Sequence, residues 1–257
     1  MIVADAADET ALRAMVSRAR VVVSTVGPYD LLGEPLVKVC AETGTDYCDL
    51  TGEVQWIRRM ISGYEDAAAS SGARIVHCCG FDSIPFDLGV HFLQQHAMER
   101  FGTYCERVKM RVRSMRGGAS GGTIASMMNI AEQVASDRDL RHELADPYSI
   151  CSRVGKPETR QPNVSFAQYD ADFDAWVAPF VMAAINTRVV HRSNALAGYE
   201  YGKDFRYDEA VLTGRGVRGS IAAIAASAAL GLFMAGASVS PTRWILKKFM
   251  PAQGEGP

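Results

Sequence analysis

The feature that most constrains this chain is the alternation of strand and helix through its first hundred residues, short runs rich in β-branched residues giving way to segments of helical length. Arg20–Val26 reads RVVVSTV, Tyr47–Leu50 reads YCDL and Arg74–Cys79 reads RIVHCC. Runs so uniformly apolar suit strands covered on both faces. Between them, Gly33–Thr43 sets Leu36, Val37 and Cys40 on one side and is closed by Gly44, while Val54–Ser71 is closed by Gly72. Asp5 and Asp8 offer N-caps for a helix to about Arg18, behind a short apolar strand at Ile2–Ala4. Strands alternating with helices in this way predict a parallel sheet wrapped by helices.

From about residue 103 the pattern changes. Val108, Met110 and Val112 alternate with Lys109, Arg111 and Arg113, which predicts a strand with one solvated face. A glycine-rich turn, Gly117–Gly122, feeds a helix near Thr123. Residues 153–170 read as a loop, Ala178–Ala197 as a helix, Asp204–Leu212 as a strand, and 219–242 as an Ala-rich segment without charge. The expected fold class is α/β: a parallel sheet wrapped by helices over 1–102, which the family resemblance given below implies to be an incomplete Rossmann-like sheet, then a second α/β or α+β domain over 103–257.

Composition serves here to exclude. In 257 residues, 27 basic side chains stand against 29 acidic ones, so no global field draws the chain to nucleic acid. With 48% apolar and 22% charged residues it is globular and long enough to bury a core. The six cysteines contain no C-x-x-C pair, and Cys78–Cys79 lies in an apolar run, so buried thiols in a reducing compartment are expected. The opening stretch lacks the basic start of a signal peptide. Together these give a cytoplasmic expectation. Asp170, Asp172 and Asp174 imitate the start of a calcium loop but lack its glycine and closing glutamate, so no metal site is expected.

Ligands of open parallel sheets gather outside the carboxyl ends of the strands. Three strand ends therefore place Tyr29, Thr51, Glu53, Asp82 and Ser83 around one crevice. Gly27 admits close backbone approach, and Tyr29 offers a ring and a hydroxyl. Asp82 or Ser83 could equally cap the helix that starts at Pro85. Gly117–Thr123 could cradle an anion but matches no phosphate-loop pattern. The basic run from Arg107 to Arg116 reads as a solvated face, and His77 as a satisfied core residue. Residues 219–242, flanked by Arg215, Arg218, Arg243, Lys247 and Lys248, are long enough to span a bilayer, yet their alanines equally suit a buried or surface-docked helix.

In STVGPYDLLGEPLV, GTDYCDLTGE, ARIVHCCGFDSIPFDLGV, RGGASGGTIASMMN, WVAPFVMAAINTRVVHRSNAL and YGKDFRYDE the sequence resembles the saccharopine dehydrogenase-like oxidoreductases, within them the trans-acting enoyl reductases. The resemblance implies a Rossmann domain for NADP or NAD and a second domain that helps close the site. It sets Thr25, Val26, Gly27 and Pro28 against the dinucleotide and Gly80 and Phe81 near its nicotinamide end. Tyr29, Asp82 and Ser83 are then the expected catalytic residues. The implied reaction is reduction of an enoyl double bond on a polyketide or lipid-type acyl substrate presented by a synthase. The alternative is a non-catalytic, membrane-associated scaffold, peripheral at the inner face of the plasma membrane. Relatives open with a strand and a glycine-rich loop, whereas no G-x-G-x-x-G precedes the first helix here, and Ile2–Ala4 resembles their third strand. PAQGEGP likewise resembles a point inside longer relatives. The expectation is a functional polypeptide that begins upstream of Met1.

Overall fold

The computed structural model describes residues 3, 5–115, 121–151, 157–239 and 241–244. The chain divides into two compact units, Met1–Ile84 and Pro85–Pro257. Of the expected features, Ile2 and Ala4 of the opening strand and Gly117–Ser120 of the glycine-rich turn fall outside the described residues.

The first unit holds a parallel sheet of β1 (Val21–Ser24), β2 (Asp46–Asp49) and β3 (Ile75–Val76), in that order. Helices α1 (Glu9–Val16), α2 (Tyr29–Leu32), α3 (Glu34–Thr43) and α4 (Val54–Ser71) connect them. Asp8 caps α1 by accepting from Thr10 N and Ala11 N. Gly44 and Gly72 close α3 and α4 in the left-handed conformation, at φ 76° and 82°. Val16, Val37, Val39, Cys40, Tyr47, Trp56 and Ile57 form the core, all but fully buried. Gly33 is required by packing: a Cβ there would stand 2.7 Å from the Trp56 ring and 2.9 Å from the Tyr29 carbonyl.

The parallel arrangement follows the expectation, but β1 is not covered on both faces. Among the described residues it pairs only with β2, and Val21 and Val23 are more than half exposed while Ser24 is buried. The described helices leave the valine face open.

The second unit begins with α5 (Ile84–Phe101), which the sequence reading assigns to the first domain by placing the boundary near 102. Packing explains the difference. Gln94 Oε1 accepts from Cys105 N at 2.7 Å and its Nε2 donates to Cys105 O at 2.9 Å. Ser193 donates to Asp87 at 2.8 Å, and Val90 joins Val108, Val190, Tyr201, Phe205 and Tyr207 in one core. A mixed sheet runs β4 (Arg107–Val112), β7 (Arg206–Gly214), β6 (Ala175–Pro179), β5 (Gln168–Asp170). β4 lies parallel to β7; β7 with β6 and β6 with β5 are antiparallel. Helices α6 (Gly121–Ser136), α7 (Arg138–Ala145), α8 (Ala183–Leu196) and α9 (Gly216–Ser238) complete the unit.

Three expectations change here. Residues 175–179 form β6, so the helix expected from Ala178 begins at Ala183, and the expected loop ends in β5. The polar face of β4 is not simply solvated. Arg111 is buried between Asp170 (2.7 Å) and Asp208 (2.6 Å), and Lys109 pairs with Asp170 (2.8 Å) and Asp172 (2.5 Å). Asp170–Asp174 is therefore a hairpin turn that neutralises the basic strand. The Arg and Lys partners hold the Asp170 and Asp172 carboxyls below the usual carboxylate range.

Helix α9 approaches the sheet through glycines, and a Cβ on Gly219 would overlap the backbone of Gly214. Gly219→Ala should therefore cost about 1–3 kcal/mol. The check is the urea midpoint of the variant, with Gly231→Ala, at an open position, as the control.

Candidate functional site

The site is built from the loops that leave the three parallel strands at their carboxyl ends. Residues 25–30 follow β1, 50–53 follow β2 and 77–83 follow β3. Two buried carboxylates stitch them together. Glu53 accepts from Tyr29 N at 2.9 Å and Asp30 N at 3.0 Å, so it binds the first turn of α2 where amide hydrogens have no helical partner. Its own amide donates to Thr51 Oγ1 at 3.1 Å. Asp49 Oδ1 accepts from Thr51 N at 3.1 Å and from Cys78 N at 3.0 Å. Its other oxygen meets His77 Nδ1 at 2.6 Å, and its carbonyl accepts from Cys79 N at 2.7 Å.

Tyr29 closes the stitch between the first two loops. Its hydroxyl donates to the Ser24 carbonyl at 2.9 Å and accepts from Leu50 N at 3.3 Å. Its ring lies 5.4 Å from that of Trp56, whose edge meets His77 at 5.0 Å. Burial pushes the Tyr29 hydroxyl up to about 12. The proton of Tyr29 is thus committed inward, to the backbone of its own strand.

The other expected residues divide by exposure. Thr25, Val26, Phe81 and Asp82 are exposed, Gly27, Pro28 and Gly80 are half-buried, and Ser83 is buried. A Cβ on Gly80 would stand 3.5 Å from the Leu50 side chain, so the second and third loops are neighbours. The Asp82 carboxylate makes no hydrogen bond among the described residues, so capping of α5 is not its role there. The turn is closed instead by Ser83 N and Ile84 N, which donate to Gly80 O at 3.1 and 3.0 Å. Val26, Leu50 and Phe81 add exposed apolar surface at this edge.

Sequence reasoning placed Glu53 in the crevice but passed over Asp49. The signal was present: Tyr47 and Asp49 share the buried register of β2, and a carboxylate at such a position needs dedicated donors. No group of three or more His, Cys, Asp or Glu side chains among the described residues could hold a metal ion.

A nicotinamide dinucleotide fits this edge in part. Thr25–Pro28 and Gly80–Phe81 offer open backbone and apolar surface at the place where such sheets bind ligands. Before β1 the sequence given contains no glycine, the first being Gly27.

Residues 1–76 match the family described as Saccharopine dehydrogenase NADP binding domain. Over its whole length the chain is similar to curated proteins of mycobacteria. It is 41% identical over 267 residues to a protein of Mycobacterium tuberculosis (strain ATCC 25618 / H37Rv) named as a candidate trans-acting enoyl reductase. It is 40% identical over 270 residues to the trans-acting enoyl reductase of Mycobacterium ulcerans (strain Agy99), and 39% over 271 residues to that of Mycobacterium bovis (strain BCG / Pasteur 1173P2). Each alignment covers 100% of this chain and 64% of the relative. The likeness to the saccharopine dehydrogenase NADP binding domain thus falls on residues 1–76, and the chain spans 64% of the length of the curated relatives it matches. No solved structure matches it significantly.

Glu53→Gln replaces an acceptor with a group that faces two backbone N–H donors with only one oxygen. One N–H is left unpaired in a buried place, which should cost about 1–3 kcal/mol. Chemical denaturation read by Trp56 fluorescence checks it, and Glu34→Gln, on an exposed side chain, should show no comparable loss.

The second unit holds another buried carboxyl. Glu209 accepts from Tyr207 Oη at 2.7 Å and from Asn186 Nδ2 at 3.1 Å, yet burial pushes it up to about 7. The folded state therefore holds a proton that the unfolded chain releases near pH 4.5. Stability falls as pH rises through that interval, by about 3 kcal/mol once pH exceeds 7. Glu209→Gln should remove this decline. The measurement is the difference in unfolding free energy between parent and variant from about pH 4.5 to 8. Taking the difference cancels His191, whose pKa burial lowers to about 4 and whose contribution is lost as pH falls.

Proposed function

We propose that this chain is the hydride-transfer portion of an NADP-dependent enoyl reductase acting on a polyketide-derived or other lipid-type acyl chain carried by a synthase. The observation that carries this is the coincidence of three things at one sheet edge. The stitched strand ends lie within or beside the segment matching an NADP binding domain. Exposed backbone and apolar side chains line that edge. The relatives with full coverage of this chain bear the name trans-acting enoyl reductase.

When bound, the nicotinamide supplies a hydride to the β-carbon of the enoyl group, and a proton added at the α-carbon completes the reduction. This chain's residues do the rest. Thr25–Pro28 and Gly80–Phe81 receive the nucleotide, while Val26, Leu50 and Phe81 exclude water beside the acyl chain. Asp82 is the exposed group able to hold or steer the proton, with Ser83 beside it. Tyr29 acts as a positioning residue, since its hydroxyl holds Ser24 and Leu50 in place. NADP is the cofactor taken in this reading. A peripheral membrane contact is compatible with it and finds separate support on the surface of α9.

The test is a fluorescence titration of the chain with NADPH, then turnover of an enoyl thioester. NADPH fluorescence should change saturably. Asp82→Ala should leave that titration and the melting temperature unchanged while lowering turnover about a hundredfold, the lower end of a general acid's contribution. Matched losses of stability and turnover would make Asp82 structural. No saturable binding would reject the enzyme reading in favour of a non-catalytic scaffold.

A further inference from the structure

Beyond Arg218 helix α9 carries no charge, and its two faces differ more in size than in polarity. Gly219, Ala223, Ser227 and Ala237 are its buried residues, and the helix packs against β6, β7 and α6. At about 100° per residue these positions share one side. Val217, Ile221, Ile224 and Leu232 fall on the opposite side and are 76%, 63%, 47% and 75% exposed. Ala225 and Ala228 fill the outward positions between them, and both are exposed. A helix whose only partner was its own sheet would turn its large apolar side chains inward. Here small residues face the sheet at Gly219, Ala223 and Ser227, Leu230 and Phe233 are half-buried further along, and Val217, Ile221, Ile224 and Leu232 face out.

Charge says what covers this face. From Ala210 to Gly254 the sequence contains no acidic residue, while Arg215, Arg218, Arg243, Lys247 and Lys248 bracket the helix. Arg215 pairs with Asp174 and Arg243 with Glu132, and Arg218 is exposed without an acidic partner among the described residues. Two copies meeting through α9 would set basic flank against basic flank, whether parallel or antiparallel. An anionic surface with an apolar interior complements both features at once.

We infer that α9 is an interfacial helix that seats the second unit on an anionic lipid bilayer, its aliphatic face in the headgroup–acyl boundary. By length and composition the helix could cross a membrane, but its inner face is fastened to the sheet. Thr213 Oγ1 sits 3.0 Å from Trp176 O and 2.9 Å from Gly219 O, and Gly219 abuts Gly214. A crossing helix would carry β6 and β7 into hydrocarbon, where their edge groups find no partners. Lying flat avoids that, and sets the exposed Trp244 just beyond the helix end, where indole favours the interface.

The test is flotation of the whole chain with vesicles of phosphatidylcholine alone or mixed with phosphatidylglycerol. Binding should require the anionic lipid and weaken several-fold as salt rises. Ile221→Asp with Leu232→Asp should lower it more than about tenfold, with circular dichroism and melting unchanged because both side chains are exposed. Arg218→Glu should lower it several-fold, and decides the matter if the double variant does not fold. No flotation of the parent overturns the proposal, as does flotation of the double variant equal to the parent's. So does a parent dimer that the double variant dissolves without any lipid binding, which would assign the face to a second copy.

Discussion

The first unit depends on carboxylates buried among the backbone amides and the imidazole that answer them. Asp49 and Glu53 are both inaccessible to solvent. A carboxylate so placed is tolerated only when hydrogen bonds replace its water shell. That demand fixes the loops: Glu53 takes two amides from the turn after β1, and Asp49 takes one from its own loop and one from the loop after β3. Cys78 adopts φ 62°, an uncommon backbone for a residue with a side chain, at the point where its amide reaches Asp49. The exposed groups at the edge, from Thr25 to Pro28 and from Gly80 to Asp82, inherit their places from these inward bonds.

The second unit solves a similar problem with charge of both signs. β4 brings Lys109 and Arg111 to one face, and that face is closed by Asp208 from the paired strand β7 and Asp170 from the hairpin edge. Arg111 suits this place because its planar fork can meet two carboxylates at once. Removing either aspartate would leave a buried cation short of a partner, a larger loss than the pair itself contributes. The opposite face of the same strands carries Val108, Tyr207 and Glu209 into the apolar core.

The alternating order of elements and the parallel sheet were legible in the sequence because β-branched runs and glycine caps act locally. Gly44 and Gly72 end their helices at the expected residues for that reason. What was not legible depended on partners distant in sequence. Lys109 and Arg111 look like a wet strand face until Asp170, some 61 and 59 positions on, folds over them. Residues 175–179 look helical beside the segment that follows, and become strand only because β7 offers a ladder. Within the site, Tyr29 was visible as a residue at a strand end, but the direction of its hydroxyl was not, since that depends on the Ser24 carbonyl and the Leu50 amide.

The same limit explains α9. Its composition, Ala-rich and uncharged, is shared by core helices, docked helices and membrane spans, so a count of residues cannot choose among them. The choice lies in which residues the sheet can accept. β7 meets α9 at Gly214, with no room there for any side chain, and that contact sets the rotation of the whole helix. Once Gly219 is turned inward, a repeat of about 3.6 residues carries Ala223 and Ser227 in with it and sends Ile221, Ile224 and Leu232 out. One glycine-to-glycine contact thus turns Ile221, Ile224 and Leu232 of α9 outward, while Leu230 and Phe233 remain half-buried.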